Sequence, residues 1–326
     1  KGISHFIEHL LYKGTSKMNS RQIAEAIEKK GGLLNGFTDE TITAYWCKIP
    51  SRHLDVALEV LSDMVKNPLF NQEEMEKERQ VIFEEIKMGR DNPTHHTFRE
   101  IQRLLYKEPF GSPLIGTEKT LGSLTRKKIL ERFQKVYRSN NMVLCVVGDA
   151  DFQKIVDFAE KNFSGSKRKI FKQKIVKRNE SKIEKRKGID QANLIFAYHF
   201  PTSDKKTSHA AHVLNVLMAG GMSSRLFHEV REKRNLAYAI KGESAILRDY
   251  SYGLVYAGTK KENVQLIKKI ILDEFKKVSK ELDEKELNQT KEQIIGNYQI
   301  SMEDSQNQMV NLLMHEIDGN AKNAYE

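Results

Sequence analysis

The sequence predicts an α+β protein built as two related domains, each a mostly antiparallel sheet packed against helices. Three observations carry this expectation. At 326 residues the chain is too long for one ordinary core. Strand-like runs come in adjacent pairs, each followed by helices. The segments Phe70 to Ile82 and Leu282 to Ile294 align at an offset of 212 residues as capped long helices, each preceded by a strand pair and a helix. The expected boundaries are 1–165 for the first domain, 166–188 for a basic linker and 189–326 for the second domain.

In chain order, an apolar helix opens the sequence at His5 to Leu11. Ser20 is the expected cap of a second helix, whose Ile23, Ala24 and Ile27 face inward and which Gly31-Gly32 ends. The Thr- and aromatic-rich stretch 33–49 reads as two strands joined at Asp39-Glu40. Helix 51–66 carries Leu54, Leu58, Leu61 and Val65 on one stripe, and a longer helix over 71–88 closes at Asn92-Pro93. His95 and His96 then fall on a loop. Helix 126–137, a buried strand at 141–147 and helix 151–162 complete the first half. The alternating Ile and Lys residues of 174–184 read as an edge strand. The second half reads as strand 192–200, helices 208–218 and 224–233, strands 236–246 and 251–258, helix 262–280, and a last long helix capped by Asp283.

Composition narrows the classes of function. With 39% hydrophobic and 30% charged residues the chain is globular, not disordered. No apolar run reaches the roughly 18 residues that span a bilayer. No secretory signal pattern opens the chain, but the region that would carry one is expected to be missing, so the compartment stays open, with the cytoplasm slightly favoured. The first helix lies almost at residue 1, so the chain is read as a piece lacking strands before it and a segment after the last helix. The net charge is +10, but Lys167 to Lys187 holds 11 Lys and Arg against Glu180 and Glu184, so nearly all of it sits in the linker. A charge block without interleaved aromatics is a solvated linker, and nucleic acid is not an expected partner. The two cysteines, Cys47 and Cys145, lie in apolar runs as small hydrophobes.

Chemistry concentrates in His5-Phe6-Ile7-Glu8-His9. Residues i and i+4 of a helix share a face and Glu8 lies a small rotation away, so two imidazoles and a carboxylate project together. Such a set suits Zn²⁺ with one coordination position left for water, and H-x-x-E-H is the inverse of the commoner H-E-x-x-H order. Two solvated histidines beside a surface glutamate give the same five residues, and a third ligand decides between the readings. The long helix offers Glu78 and Glu85, seven residues apart and about 10 Å from each other. One of them can reach an ion while the other supports the site. In the second half the aligned positions hold Thr290 and Asn297, and the short helix Ser224 to Arg231 lacks the motif.

Taken together, these residues resemble the pitrilysin/insulinase family (M16) of zinc metallopeptidases, particularly its processing-peptidase-like branch. The resemblance runs through His5 to Thr15, Gly32-Leu-Leu-Asn35-Gly-Phe-Thr38, the Glu78/Glu85 helix ending Asp91-Asn-Pro93, Gly220 to Phe227, and Arg231 to Tyr238. It implies a fold of two related α/β sandwiches of the LuxS/metallohydrolase-like type. It implies one Zn²⁺ per chain held by His5, His9 and a glutamate 76 residues beyond the second histidine, which is Glu85 and not Glu84 or Glu78. Glu78 then orients the metal site, and Glu8 is the general base that takes a proton from the metal-bound water. Asn35 lies on the edge strand where substrate backbone adds as an extra strand. Gly36 stands where the family usually has Ala. Arg231 and Tyr238 match residues that the family places over the substrate.

The function so implied is a zinc-dependent endopeptidase acting on peptides or unfolded polypeptide. Pairing with a second copy or with a related subunit is the implied assembly. The alternative is a non-catalytic scaffold or partner subunit, the fate of relatives that lose their ligands.

Overall fold

The computed structural model describes residues 1–165, 174–201, 205–247 and 249–325. Its first helix, α1 (Ile3–Leu11), forms because apolar residues recur at helical spacing. Phe6, Ile7, Leu10 and Leu11 are all at most 1% exposed. Gly2 precedes it with φ +76°, and a Cβ there would stand 2.7 Å from the Ile115 carbonyl oxygen, so only glycine fits the close approach. Asn19, not Ser20, caps α2 (Ser20–Glu28). The Asn19 side chain accepts the Gln22 backbone N–H, and the Gln22 side chain accepts that of Asn19.

Strands β1 (Leu33–Thr38) and β2 (Thr43–Lys48) pair antiparallel, with Asn35 opposite Trp46 and Gly36 opposite Tyr45. Helix α3 (Leu54–Lys66) follows, then the 20-residue α4 (Gln72–Asp91). The segment with His95 and His96 is helical rather than a loop. Asn92 accepts the His95 N–H as N-cap of α5 (Pro93–Leu105), and Pro93 sits at the first helical turn, where a missing N–H costs nothing. Helices α6 (Glu118–Gly122), α7 (Arg126–Val136) and α8 (Phe152–Asn162) complete this part. The apolar run 142–147 is not a strand here: it has no ladder partner among the described residues, and Val143 and Leu144 are 49% and 42% exposed.

Part of the expected linker, 166–173, lies outside the described residues. Its continuation makes one isolated bridge, Tyr106 to Lys177, in place of the expected edge strand. Strands β3 (Gln191–His199), β4 (Ala237–Ile246) and β5 (Ser251–Lys260) form an antiparallel sheet ordered β3-β5-β4. Helix α9 (Lys205–Ala219) precedes a π-helical turn over Phe227–Glu232, and α10 (Val264–Val278) follows β5. The last long helix is two: α11 (Glu284–Ser301) and α12 (Ser305–Ile317), the second capped by Asp304. The expected α+β class with antiparallel sheets is what the chain adopts.

Two compact units result. The first comprises Lys1–Gly89, Ser112–Lys174 and Asp304–Glu326, and the second Arg90–Gly111 and Ile175–Glu303. The first unit's core joins the apolar face of α1 to Ile23 and Ile27 of α2, Met64 of α3, and Met75 and Ile82 of α4. In the second unit Val255 and Ala257 of β5 pack with Ile267 and Ile271 of α10.

Candidate metal centre

The residues that α1 does not bury in the core share its other side. At 100° per residue His5, Glu8, His9 and Tyr12 fall on one face, opposite Phe6, Ile7, Leu10 and Leu11. The helix is anchored beyond its C-terminal end. After its last turn Thr15 donates to the buried Asp63 of α3, and Asn67 donates to the other Asp63 oxygen at 2.8 Å.

Helix α4 brings its carboxylates to that face. His5 Nε2 lies 3.8 Å from one Glu85 oxygen and His9 Nε2 lies 3.6 Å from the other. The ligand atoms of His5, His9 and Glu85 are all within 4.8 Å of one another, a group able to hold a metal ion. Tetrahedral zinc bonds of about 2.0–2.1 Å would set such atoms roughly 3.3 Å apart, so small side-chain movements suffice to close the set. A donor set of two neutral imidazoles and one carboxylate also suits zinc chemically.

Glu78 stands one step behind. Its Oε2 accepts from His9 Nδ1 at 3.1 Å, which leaves His9 Nε2 facing Glu85, and its Oε1 accepts from Lys13 Nζ at 2.6 Å. Burial pushes the Glu78 carboxyl up, but the His9 and Lys13 bonds and charges outweigh it and hold it below the usual carboxylate range. The same contacts act on His9. Burial disfavours its cation, whereas the Glu78 bond and the charges of Glu85, Glu78 and Glu8 raise its pKa above the ordinary imidazole value. The neighbouring Arg79 fixes α4 against α1 and the α6 loop, lying over the Phe6 ring at 5.3 Å and donating to the Leu124 carbonyl at 2.9 Å.

Glu8 is buried, and its Oε2 accepts from Thr38 Oγ1 of β1. Burial chiefly raises its pKa, the Thr38 bond and His9 pull it down, and the Glu85 charge adds to the rise. A carboxyl so placed is a better proton acceptor than an exposed one. Asn35, on the same strand, accepts its neighbour Gly36's N–H at 2.8 Å.

Two stretches of the sequence match family models, residues 1–118 that of insulinase (peptidase family M16) and residues 123–294 that of the peptidase M16 inactive domain. The chain belongs to peptidase family M16. Among M16 relatives, an uncharacterized zinc protease of Rickettsia felis is 35% identical over 309 residues, covering 93% of this chain and 74% of its own. The uncharacterized zinc protease YmxG of Bacillus subtilis is 32% identical over 312 residues, covering 94% and 76%. In fold, the chain is similar to a protease from Helicobacter pylori, with a TM-score of 0.86 at 23% identity over 99% of this chain and 81% of that one. It is also similar in fold to a chain of Complex III2 from Candida albicans, with a TM-score of 0.83 at 16% identity over 100% and 79%.

Of the residues expected at the site, the first M16 unit brings together His5, Glu8, His9, Glu78 and Glu85, with Asn35 on the adjoining β1. Arg231 and Tyr238 belong to the second unit. Arg231 lies over the Phe227 ring at 4.9 Å, and the half-exposed Tyr238 has its hydroxyl 3.4 Å from that of Tyr256. Sequence reasoning gave no role to Lys13, Thr38 or Tyr12. Helical periodicity alone marks Tyr12, seven residues after His5. The Lys13 and Thr38 contacts depend on how α4 and β1 approach α1, which no local pattern encodes.

Proposed function

We propose that this M16 chain is a zinc-dependent endopeptidase acting on peptides or unfolded polypeptide. The observation that carries the reading is the approach of His5, His9 and Glu85 to one point, with Glu8 beside them and bonded elsewhere. A zinc ion held there by those three residues would supply Lewis acidity, lowering the pKa of a bound water and polarising a carbonyl. The chain's own residues do the rest. Glu78 takes the His9 Nδ1–H, fixing the tautomer that offers Nε2. Glu8 accepts the water proton and returns it to the leaving amine, with Thr38 orienting its carboxylate.

β1 pairs only with β2 among the described residues, which supports its open edge, near Asn35, as the place where an extended substrate adds as a strand. Arg231 and Tyr238 are assigned to substrate binding on the family resemblance.

The test is metal analysis joined to cleavage of a fluorescence-quenched peptide. One zinc per chain is expected, with cleavage lost to a chelator and restored by zinc. A protein that binds no zinc and cleaves no peptide would instead be a scaffold subunit.

A further inference from the structure

The polar face of α1 holds a fourth residue that the mechanism above leaves unused. The Tyr12 hydroxyl is buried and has no hydrogen-bond partner among the described residues. It lies over β1 at Gly36: a Cβ built on Gly36 would stand 2.5 Å from the Tyr12 hydroxyl oxygen, 2.7 Å from the Ala44 carbonyl oxygen of β2 and 3.5 Å from Glu8 Oε1. Both oxygens thus face the space that an alanine methyl would fill. Thr38 occupies the other Glu8 oxygen, Oε2.

A buried phenol without a partner forfeits its hydrogen-bond energy unless something in the working state satisfies it. Burial, and next the Glu8 charge, push the Tyr12 pKa well above the usual phenol value, so the hydroxyl stays protonated and can only donate to a carboxylate. The surroundings narrow its choice of acceptor. The tyrosine hydroxyls of Tyr45 and Tyr137 bond each other at 2.7 Å, while the Tyr12 ring is 6.0 Å from that of Tyr45.

We infer that Tyr12 is a positioning residue for Glu8, its hydroxyl donating to Glu8 Oε1 directly or through one water, and that glycine at position 36 leaves room for that hydroxyl as well as for the Ala44 carbonyl. Thr38 and Tyr12 then hold the two carboxylate oxygens from two sides, with lone pairs left for the water proton. The inference rests on the peptidase reading of Glu8.

Two experiments test it. Tyr12→Phe removes only the oxygen. Loss of a hydrogen bond to a charged group is expected to lower kcat roughly ten- to hundredfold, with KM within about twofold, because the bond acts on the proton transfer and not on substrate binding. Zinc per chain should be unaltered and the melting temperature within about 2 °C of wild type. An unchanged kcat, or a fall matched by loss of zinc or of folded protein, overturns the role.

The second experiment uses the metal-free protein and reads melting alone. Gly36→Ala should cost less, by about 2–4 °C, when Tyr12→Phe is already present, since the added methyl then meets the Ala44 carbonyl but no longer the hydroxyl. Additive shifts overturn the pairing. Absence of any peptide cleavage by the wild type overturns the peptidase reading and the Glu8 role together, whereas cleavage unaffected by Tyr12→Phe overturns only the Glu8 role.

Discussion

Replacing Glu78 by Gln keeps the shape of the side chain and removes its charge. In the native site one Glu78 oxygen takes the His9 Nδ1–H at 3.1 Å and the other meets Lys13 Nζ at 2.6 Å. Gln retains one acceptor, so the His9 bond can persist while its charge assistance is lost and the imidazole becomes a weaker electron donor. Carboxylates in this supporting position are worth roughly 10–100-fold in metal affinity, about 1.4–2.7 kcal/mol. Lys13 is partly exposed, and water replaces its lost partner at small cost. The change also lowers the His9 pKa, which reduces proton competition and offsets part of the loss in mildly acidic solution. The full effect is therefore expected at pH 8 and a smaller one at pH 6. Competition titration of zinc against a chromogenic chelator, with thermal melting as a folding control, measures it. An affinity within about twofold of wild type at pH 8, in a folded protein, would refute the role given to Glu78.

Other outcomes follow from the same contacts. Because the carboxylates around His9 raise its pKa, and ligation needs the neutral ring, zinc affinity should fall by about tenfold per pH unit below that pKa, as the proton occupies the nitrogen. Titrations from pH 8 to pH 5.5 read this directly. Phe6 is fully buried under Arg79, so Phe6→Ala should cost about 3–5 kcal/mol in denaturant unfolding and detach α4 from α1, reducing zinc binding with stability.

Much of the site is legible in the sequence because it is local. Helical spacing alone puts His5, Glu8 and His9 on one side of α1, and Glu78 and Glu85 on one side of α4. What spacing does not supply is the pairing of the two helices. The His9–Glu78 bond joins residues 69 apart, and only the family resemblance points to Glu85 as the third ligand.

The misread elements have physical causes. Asn92-Pro93 follows the end of α4 at Asp91 as expected, but the same dipeptide is an N-cap followed by a residue suited to the first turn, so it opens α5 where a loop is expected. The run 142–147 has strand composition, but a strand needs a neighbour to bond with, and among the described residues none pairs with it. The division of the last helix at Met302 to Asp304 follows from Asp304 capping α12 through the Gln306 N–H at 2.7 Å. Tyr12 and Gly36 are the counter-case. Each is unremarkable in its own segment, and their relation exists only where α1 crosses β1.

The most direct test of the peptidase reading is Glu8→Gln, with zinc content and peptide cleavage measured on the same preparation. If Glu8 is the base and not a ligand, the variant should keep one zinc per chain while kcat falls about 10²–10⁴-fold. Full zinc with undiminished cleavage would contradict that role, and loss of zinc along with activity would make Glu8 part of the metal site instead.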